Sequence, residues 1–95
     1  MTSKQRAALK SYAGTAETLF QIGKGGITDN LVRAASDALT ARELIKLSVL
    51  KTCEQTPDEV LADLAKALRA EPVCAIGNKI VLYRYAPDKK EHIAL

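Results

Sequence analysis

Apolar residues recur at two different intervals along the chain, and the interval predicts the element. Leu9, Tyr12, Ala13 and Ala16, with Gln5 beside them, fall on one stripe at helical spacing. Thr2 or Ser3 can cap that first helix, which begins near Lys4 and ends near Ala13, where Gly14 follows. Arg6 and Lys10 flank the stripe four positions apart and so project together. Residues 18–22, Thr-Leu-Phe-Gln-Ile, read as a strand. A second helix is capped by Thr28 or Asp29 and runs to about Leu39. It buries Leu31, Val32, Ala35, Ala38 and Leu39 and leaves Arg33, Asp37 and Thr40 outside. Over residues 44–50 the interval becomes two: Ile45, Leu47 and Val49 point one way, Lys46 and Ser48 the other.

Thr56-Pro57-Asp58-Glu59 is a helix start with the cap, the proline in the first turn and the glutamate of a capping box. Val60, Leu61, Leu64, Ala65 and Leu68 form the apolar stripe of this third helix. Two further strands, residues 73–76 and 79–84, flank Gly77-Asn78, a two-residue hairpin signal. Residues 86–90 end the regular structure, and a short tail follows. The order is αβαβαββ. Its two βαβ crossovers favour parallel pairing, and the final hairpin adds an antiparallel pair. The expected fold is therefore α/β of the α+β type: a single mixed four-stranded sheet packed against three helices, in one domain over residues 1–95.

Composition narrows the partners. At 95 residues, 47% apolar and 26% charged, the chain has an ordinary globular balance. It has no apolar run near the roughly 20 residues of a membrane span, and no apolar segment follows its charged start. A cytoplasmic protein without membrane contact is expected. Cys53, Cys74 and His92 are the whole inventory of cysteine and histidine, too few for a zinc site within one chain. Cys74 lies in an apolar strand and reads as core, Cys53 as a loop thiol. The formal charge is +3, and all of the excess sits in residues 1–46, where no acid precedes Glu17. That asymmetry favours a polyanionic partner.

The candidate chemistry lies in the same half, in Gln21-Ile22-Gly23-Lys24-Gly25-Gly26-Ile27-Thr28-Asp29-Asn30. Glycine lets backbone lie directly against another molecule, and the helix that follows opens with unpaired N–H groups and partial positive charge. Such a turn is a place for a phosphate, to which Lys24 adds a full charge. A nucleotide-binding loop fits the pattern worse: GxxxxGK[ST] is absent, and Thr28 follows Ile27, so no GxGxxG can be completed. Lys79 follows the hairpin turn and Arg84 closes the last strand; both are candidate contacts, as are Arg6 and Lys10, whose bland reading is a solvated face. Tyr83 alternates with Val81 and reads as packing. Aromatic residues are 4% of the chain, without the paired stacking aromatics of an RRM, so recognition of a structured nucleic acid through shape and phosphates rather than splayed bases is expected. No nucleophile stands beside a base and no carboxylate pair suits a cleft, so no enzyme is expected.

Taken together, Lys4-Gln5-Arg6, Gln21-Ile22-Gly23-Lys24-Gly25-Gly26-Ile27-Thr28, Glu43-Leu44-Ile45-Lys46 and Ile76-Gly77-Asn78-Lys79-Ile80-Val81-Leu82-Tyr83-Arg84 closely resemble the YhbY family of small bacterial RNA-binding proteins. That family is the stand-alone form of the CRM domain (chloroplast RNA splicing and ribosome maturation). The resemblance implies a mixed four-stranded sheet with three helices, similar to the C-terminal domain of bacterial translation initiation factor 3. It implies a GxxG loop, here Gly23, Lys24, Gly25 and Gly26, comparable with the backbone-clamping loop of KH domains. It further implies association with precursors of the large ribosomal subunit, the role of bacterial members, rather than the intron splicing assisted by larger plant proteins. Residues 13–17, Ala-Gly-Thr-Ala-Glu, depart from a stretch often rich in His, Leu, Lys and Pro.

The expectation is a ribosomal-RNA-binding monomer with no cofactor, metal or small-molecule substrate. Its contacts would be Gly23, Lys24, Gly25, Gly26 and Thr28 in the loop, with Arg6, Lys10, Arg33, Lys46, Lys79 and Arg84 around it. A protein-interaction adaptor, or a DNA-binding protein using the same loop, is the alternative.

Overall fold

Each helix begins where a threonine can satisfy its unpaired amides. In the computed structural model, which describes residues 2–87, Thr2 Oγ1 accepts from the Gln5 N–H at 3.1 Å and Gln5 Oε1 accepts from the Thr2 N–H at 3.0 Å. This capping box opens α1 (Ser3–Ala13). Thr28 Oγ1 accepts from the Leu31 N–H at 3.1 Å and heads α2 (Asp29–Arg42). Thr56 and Glu59 form a second capping box, with Pro57 in the first turn, at the head of α3 (Pro57–Leu68). The expected tail, with Lys89, Lys90 and His92, lies outside the described residues.

The strands are β1 (Thr18–Ile22), β2 (Leu44–Val49), β3 (Glu71–Ile76) and β4 (Lys79–Tyr83), and they form one sheet in the order β1-β2-β4-β3. β1 runs parallel to β2, while β4 runs antiparallel to both β2 and β3. The fold is thus the expected mixed sheet with three helices in the order αβαβαββ. β3 is an edge strand, which explains how it accommodates Pro72: an edge can turn the missing N–H outward.

The two sheet faces are covered unequally. On one face Ile22, Ile45, Leu47, Val49, Ile80 and Leu82 pack with Ala35 and Leu39 of α2 and with the apolar stripe of α3. On the other, Leu44, Val73, Val81 and Tyr83 meet only Leu9 and Ala13 of α1. The alternation along β2 divides as its sequence predicts, with Lys46 and Ser48 on the α1 side.

Four details differ from the sequence expectation. α2 continues three residues past Leu39, to Arg42, and stops at Glu43, whose φ of 67° no glycine signal announces. Glu43 is fully buried and its stop is a tertiary one. Its N–H donates to Leu39 O at 2.7 Å, its carbonyl accepts from the Arg84 N–H at 2.8 Å, and its Oε2 accepts from the Ala86 N–H at 2.9 Å. Tyr12 is 44% exposed, at the border of the α1 stripe rather than within it. Cys74 is half-buried rather than core. The strand ends also shift: β3 begins at Glu71, β2 ends at Val49 and β4 at Tyr83. No helix among the described residues is long and apolar enough to cross a membrane.

Arg84 joins the helical layer to the end of β4. Its Nη1 donates to Leu68 O at 3.0 Å, and its Nη2 donates to Ser36 O at 2.8 Å, Ser36 Oγ at 3.1 Å and Thr40 Oγ1 at 3.0 Å. Replacing it leaves the end of α3 and one turn of α2 without their shared donor. Arg84→Met should lower stability by about 1–3 kcal/mol in urea unfolding. Tyr83 supplies a second test. Burial, then the nearby Glu43 charge, then Tyr85 push its phenol above the ordinary tyrosine value. A raised folded-state pKa leaves stability intact below the unfolded value, about pH 10, and removes it as pH rises through the higher folded one. The wild type should therefore lose stability above about pH 10 more steeply than Tyr83→Phe, measured by unfolding at stepped pH.

Candidate nucleic-acid interface

The end of the sheet where β1 and β2 finish gathers the loops. Parallel strands bring their C-terminal ends together, and the Leu50 N–H donates to Ile22 O at 2.8 Å. The antiparallel β4 begins at the same end, with the Val49 N–H donating to Asn78 O at 2.7 Å. The glycine loop, residues 50–52 after β2 and the Gly77-Asn78 turn therefore share one rim. Neighbouring strands lie about 4.8 Å apart, so the loop after β1 and Lys79 at the start of β4 are about 10 Å apart across that rim.

Residues 23–26 form a tight turn closed by the Gly26 N–H donating to Gly23 O at 2.9 Å. The three glycines have different reasons for being there. Gly26 has φ +62°, a left-handed conformation that strains any side-chain-bearing residue. A Cβ on Gly23 would lie 3.3 Å from Thr52 Oγ1 and 3.6 Å from Leu50 Cδ1, so glycine lets the turn sit close against the β2 loop. Gly25 has neither constraint: its φ is not positive, and a Cβ would meet only Thr28 Cγ2, at 3.8 Å. Lys24 and Gly25 are exposed, and their N–H groups donate to no partner among the described residues.

Behind this rim, the α1 side of the sheet carries three lysines. Lys46 Nζ donates to Ala13 O at 3.3 Å, a carbonyl at the C-terminus of α1 that also accepts from the Ala16 N–H at 3.2 Å, and a cation there suits the helix dipole. Lys79 Nζ donates to Ser48 Oγ at 3.2 Å, and Asn78 Nδ2 donates to the same oxygen at 3.1 Å. Ser48 is only 2% exposed, so it anchors both side chains from within the sheet. Lys10 completes the group from α1, and Arg6 lies one turn earlier. Among the described residues none of these cations has a carboxylate partner.

The remaining candidates sit elsewhere. Arg84 is committed to α2 and α3, and Arg33 lines the groove between those helices with Arg69, Asp29 and Asp37, on the opposite side of the sheet from the lysines. Thr28 is on the rim, but its hydroxyl oxygen already caps α2. Asp29 places a carboxylate in the first turn of that helix, so the helix end offers an anion less than the glycine pattern implied. Lys51 is a basic residue that the sequence reading missed. It is exposed beside Thr52, which lies against Gly23. Its signal was the parallel pairing itself, which obliges the turn after β2 to lie beside the end of β1. No group of three or more His, Cys, Asp or Glu among the described residues could hold a metal ion.

The model of the CRS1/YhbY (CRM) domain matches residues 1–84. A Bacillus subtilis protein named probable RNA-binding protein YqeI is 44% identical, over 96% of this chain and 95% of its own. A probable RNA-binding protein of Methanocaldococcus jannaschii is 31% identical, over 99% of this chain and 71% of its own. The solution structure of a hypothetical Staphylococcus aureus protein, described as an RNA-binding candidate, superposes with a TM-score of 0.84 at 40% identity, covering 100% of this chain and 98% of that one. The family model and the shared fold span the rim, the lysine face and both helical layers, and the chain belongs to the CRS1/YhbY (CRM) domain family.

Proposed function

We propose that this protein binds structured RNA, and in particular ribosomal RNA of a large subunit under assembly, by laying the turn of residues 23–26 against the sugar–phosphate backbone. One observation carries the reading. The exposed tip of the turn presents two unpartnered amides and a lysine, and the fold gives no reason for the glycine between them. Bare backbone that folding does not require suits close approach to another molecule. Lys10, Lys46 and Lys79 extend the cationic surface from the rim onto the α1 side of the sheet, with Arg6 and Lys51 beside it. The RNA-binding names of the relatives support the class of partner, and the resemblance to stand-alone CRM members supports the ribosomal one. In this reading the protein works as a monomer in the cytoplasm, without cofactor or small-molecule substrate, and not as an enzyme.

Binding through phosphates weakens as salt rises, with a log–log slope of about −0.7 to −0.9 for each phosphate neutralised. Titration of a ribosomal RNA fragment at stepped salt should show that slope, and Lys24→Glu should weaken binding and flatten it by about one phosphate's worth. Equal affinity for duplex DNA of matching sequence would remove RNA from the proposal. The glycines separate folding from binding. Gly26→Ala should lower stability by about 1–2 kcal/mol because of its positive φ, whereas Gly25→Ala should leave unfolding within about 0.5 kcal/mol of wild type. Gly25→Asp should fold and yet bind RNA at least as poorly as Lys24→Glu. Unchanged affinity in Lys24→Glu and Gly25→Asp together would take the turn out of the mechanism.

A further inference from the structure

Between the end of α1 and the β3–β4 hairpin lies a small groove of about 130 Å³. Its floor is made by Cys74, Ile76 and Val81, and Lys10, Lys46 and Lys79 stand along its edges. The register explains the floor: Cys74 pairs with Val81 and Ile76 with Lys79, so these residues project from the same face of neighbouring strands. α1 covers most of Val81 and part of Cys74 through Leu9 and Ala13 but leaves Ile76 66% exposed at the sheet edge. Neither the glycine turn nor a phosphate contact makes use of that apolar surface.

We propose that this groove takes one unpaired nucleotide of the bound RNA, with its base on Cys74, Ile76 and Val81 and its flanking phosphates on Lys10, Lys46 and Lys79. This rests on the RNA-binding reading above and adds to it: the preferred target is a helix interrupted by a bulged or looped residue, not an uninterrupted duplex. The arrangement selects the occupant through its chemistry. A nucleotide has a flat apolar face with an anion on either side, and the groove has a narrow apolar floor between cations. An uninterrupted A-form helix keeps its bases stacked, and single-stranded loops and bulges are where bases become available. The cations are also preset, since Ala13 O holds Lys46 and Ser48 Oγ holds Lys79 while each ammonium keeps further donors. A free protein segment would find the same floor, but three lysines without carboxylate partners around so small a surface favour an anionic guest.

The test uses three versions of one RNA hairpin and the full chain: fully paired, with one bulged uridine, and with an abasic residue at the bulge. The uridine bulge should bind about tenfold more tightly than the paired stem, a gain of the size that burying one base face against an apolar surface supplies. The abasic bulge should lose that gain. Ile76→Ser should erase the preference while keeping the affinity for the paired stem, and Lys24→Glu should weaken all three RNAs. A 4-thiouridine placed at the bulge should crosslink the wild type within residues 74–81, which decides the matter even if Ile76→Ser fails to fold. Equal binding of uridine and abasic bulges, or a crosslink outside that hairpin, would overturn the groove assignment and leave the turn-based reading standing. Loss of all salt-sensitive RNA binding would overturn both. Sedimentation of the wild type showing self-association that Ile76→Ser abolishes would assign the floor to a second copy of the chain and overturn the nucleotide.

Discussion

β2 is buried on both sides, and only one of those sides is covered along its whole length. α2 and α3 bury Ile45, Leu47 and Val49, and this continuous core holds the sheet together. On the other side α1 supplies two buried residues, Leu9 and Ala13, and then stops. A longer apolar helix would have sealed the sheet. Instead the positions beyond Ala13 are occupied by Lys46, Ser48 and Lys79, side chains that tolerate partial burial because each finds an oxygen or a nitrogen to bond. The contact between Lys46 Nζ and Ala13 O serves both purposes, closing the carbonyl end of α1 and fixing a cation over the uncovered part of the sheet. The proposed RNA surface thus follows from where the second layer runs out.

The glycine turn divides its requirements residue by residue. Gly26 is needed for its backbone angle, and Gly23 lets the turn lie close to Thr52, so both have a structural reason apart from binding. Gly25 is the residue that folding leaves unexplained. A structural reason for two glycines of three sharpens the case for the third, since the pattern as a whole can no longer be put down to a tight strand-to-helix connection. Asp29 acts in the opposite direction, because its carboxylate shares the first turn of α2 with the partial charge that an incoming phosphate would use. The two exposed amides and Lys24 are therefore better placed to grip an anion than the helix tip is.

Much of the fold was legible in the sequence because it is written in local signals. Capping threonines, the proline in the first turn of α3, the two apolar periods and Gly77-Asn78 place every helix and strand within a few residues. What the pattern could not carry is anything decided by contact across the chain. α2 ends at Glu43 through bonds to residues 84 and 86, and no local breaker marks the place. Arg84 looks in sequence like one more cation on an exposed strand end, yet its guanidinium is divided between two helices. The candidate site is legible in the same uneven way. The turn is visible as a cluster of glycines, and the alternation of β2 puts Lys46 on the side away from the main core. The meeting of Lys46 with Lys79, Lys10 and the floor of Cys74, Ile76 and Val81 depends on the strand order β1-β2-β4-β3 and on pairing register, neither of which has a periodicity to read.

The acids are also unevenly placed, which favours the α1 side as the surface for a polyanion. On the α2–α3 side Arg84 is hydrogen-bonded four times within the protein, and Arg33 and Arg69 share a groove with Asp29 and Asp37, without an ion pair among the described residues. The exposed residues of α3 and its approach add Glu54, Asp58, Glu59 and Asp63. On the α1 side Lys46 and Lys79 are held by neutral oxygens, not by carboxylates. The distinction matters at the moment of binding. A phosphate approaching an ion-paired lysine must displace a carboxylate, whereas one approaching Lys46 or Lys79 meets an ammonium already positioned by a weaker, uncharged acceptor. Pinning by neutral oxygens thus gives the order of an ion pair without a resident anion to compete with the guest.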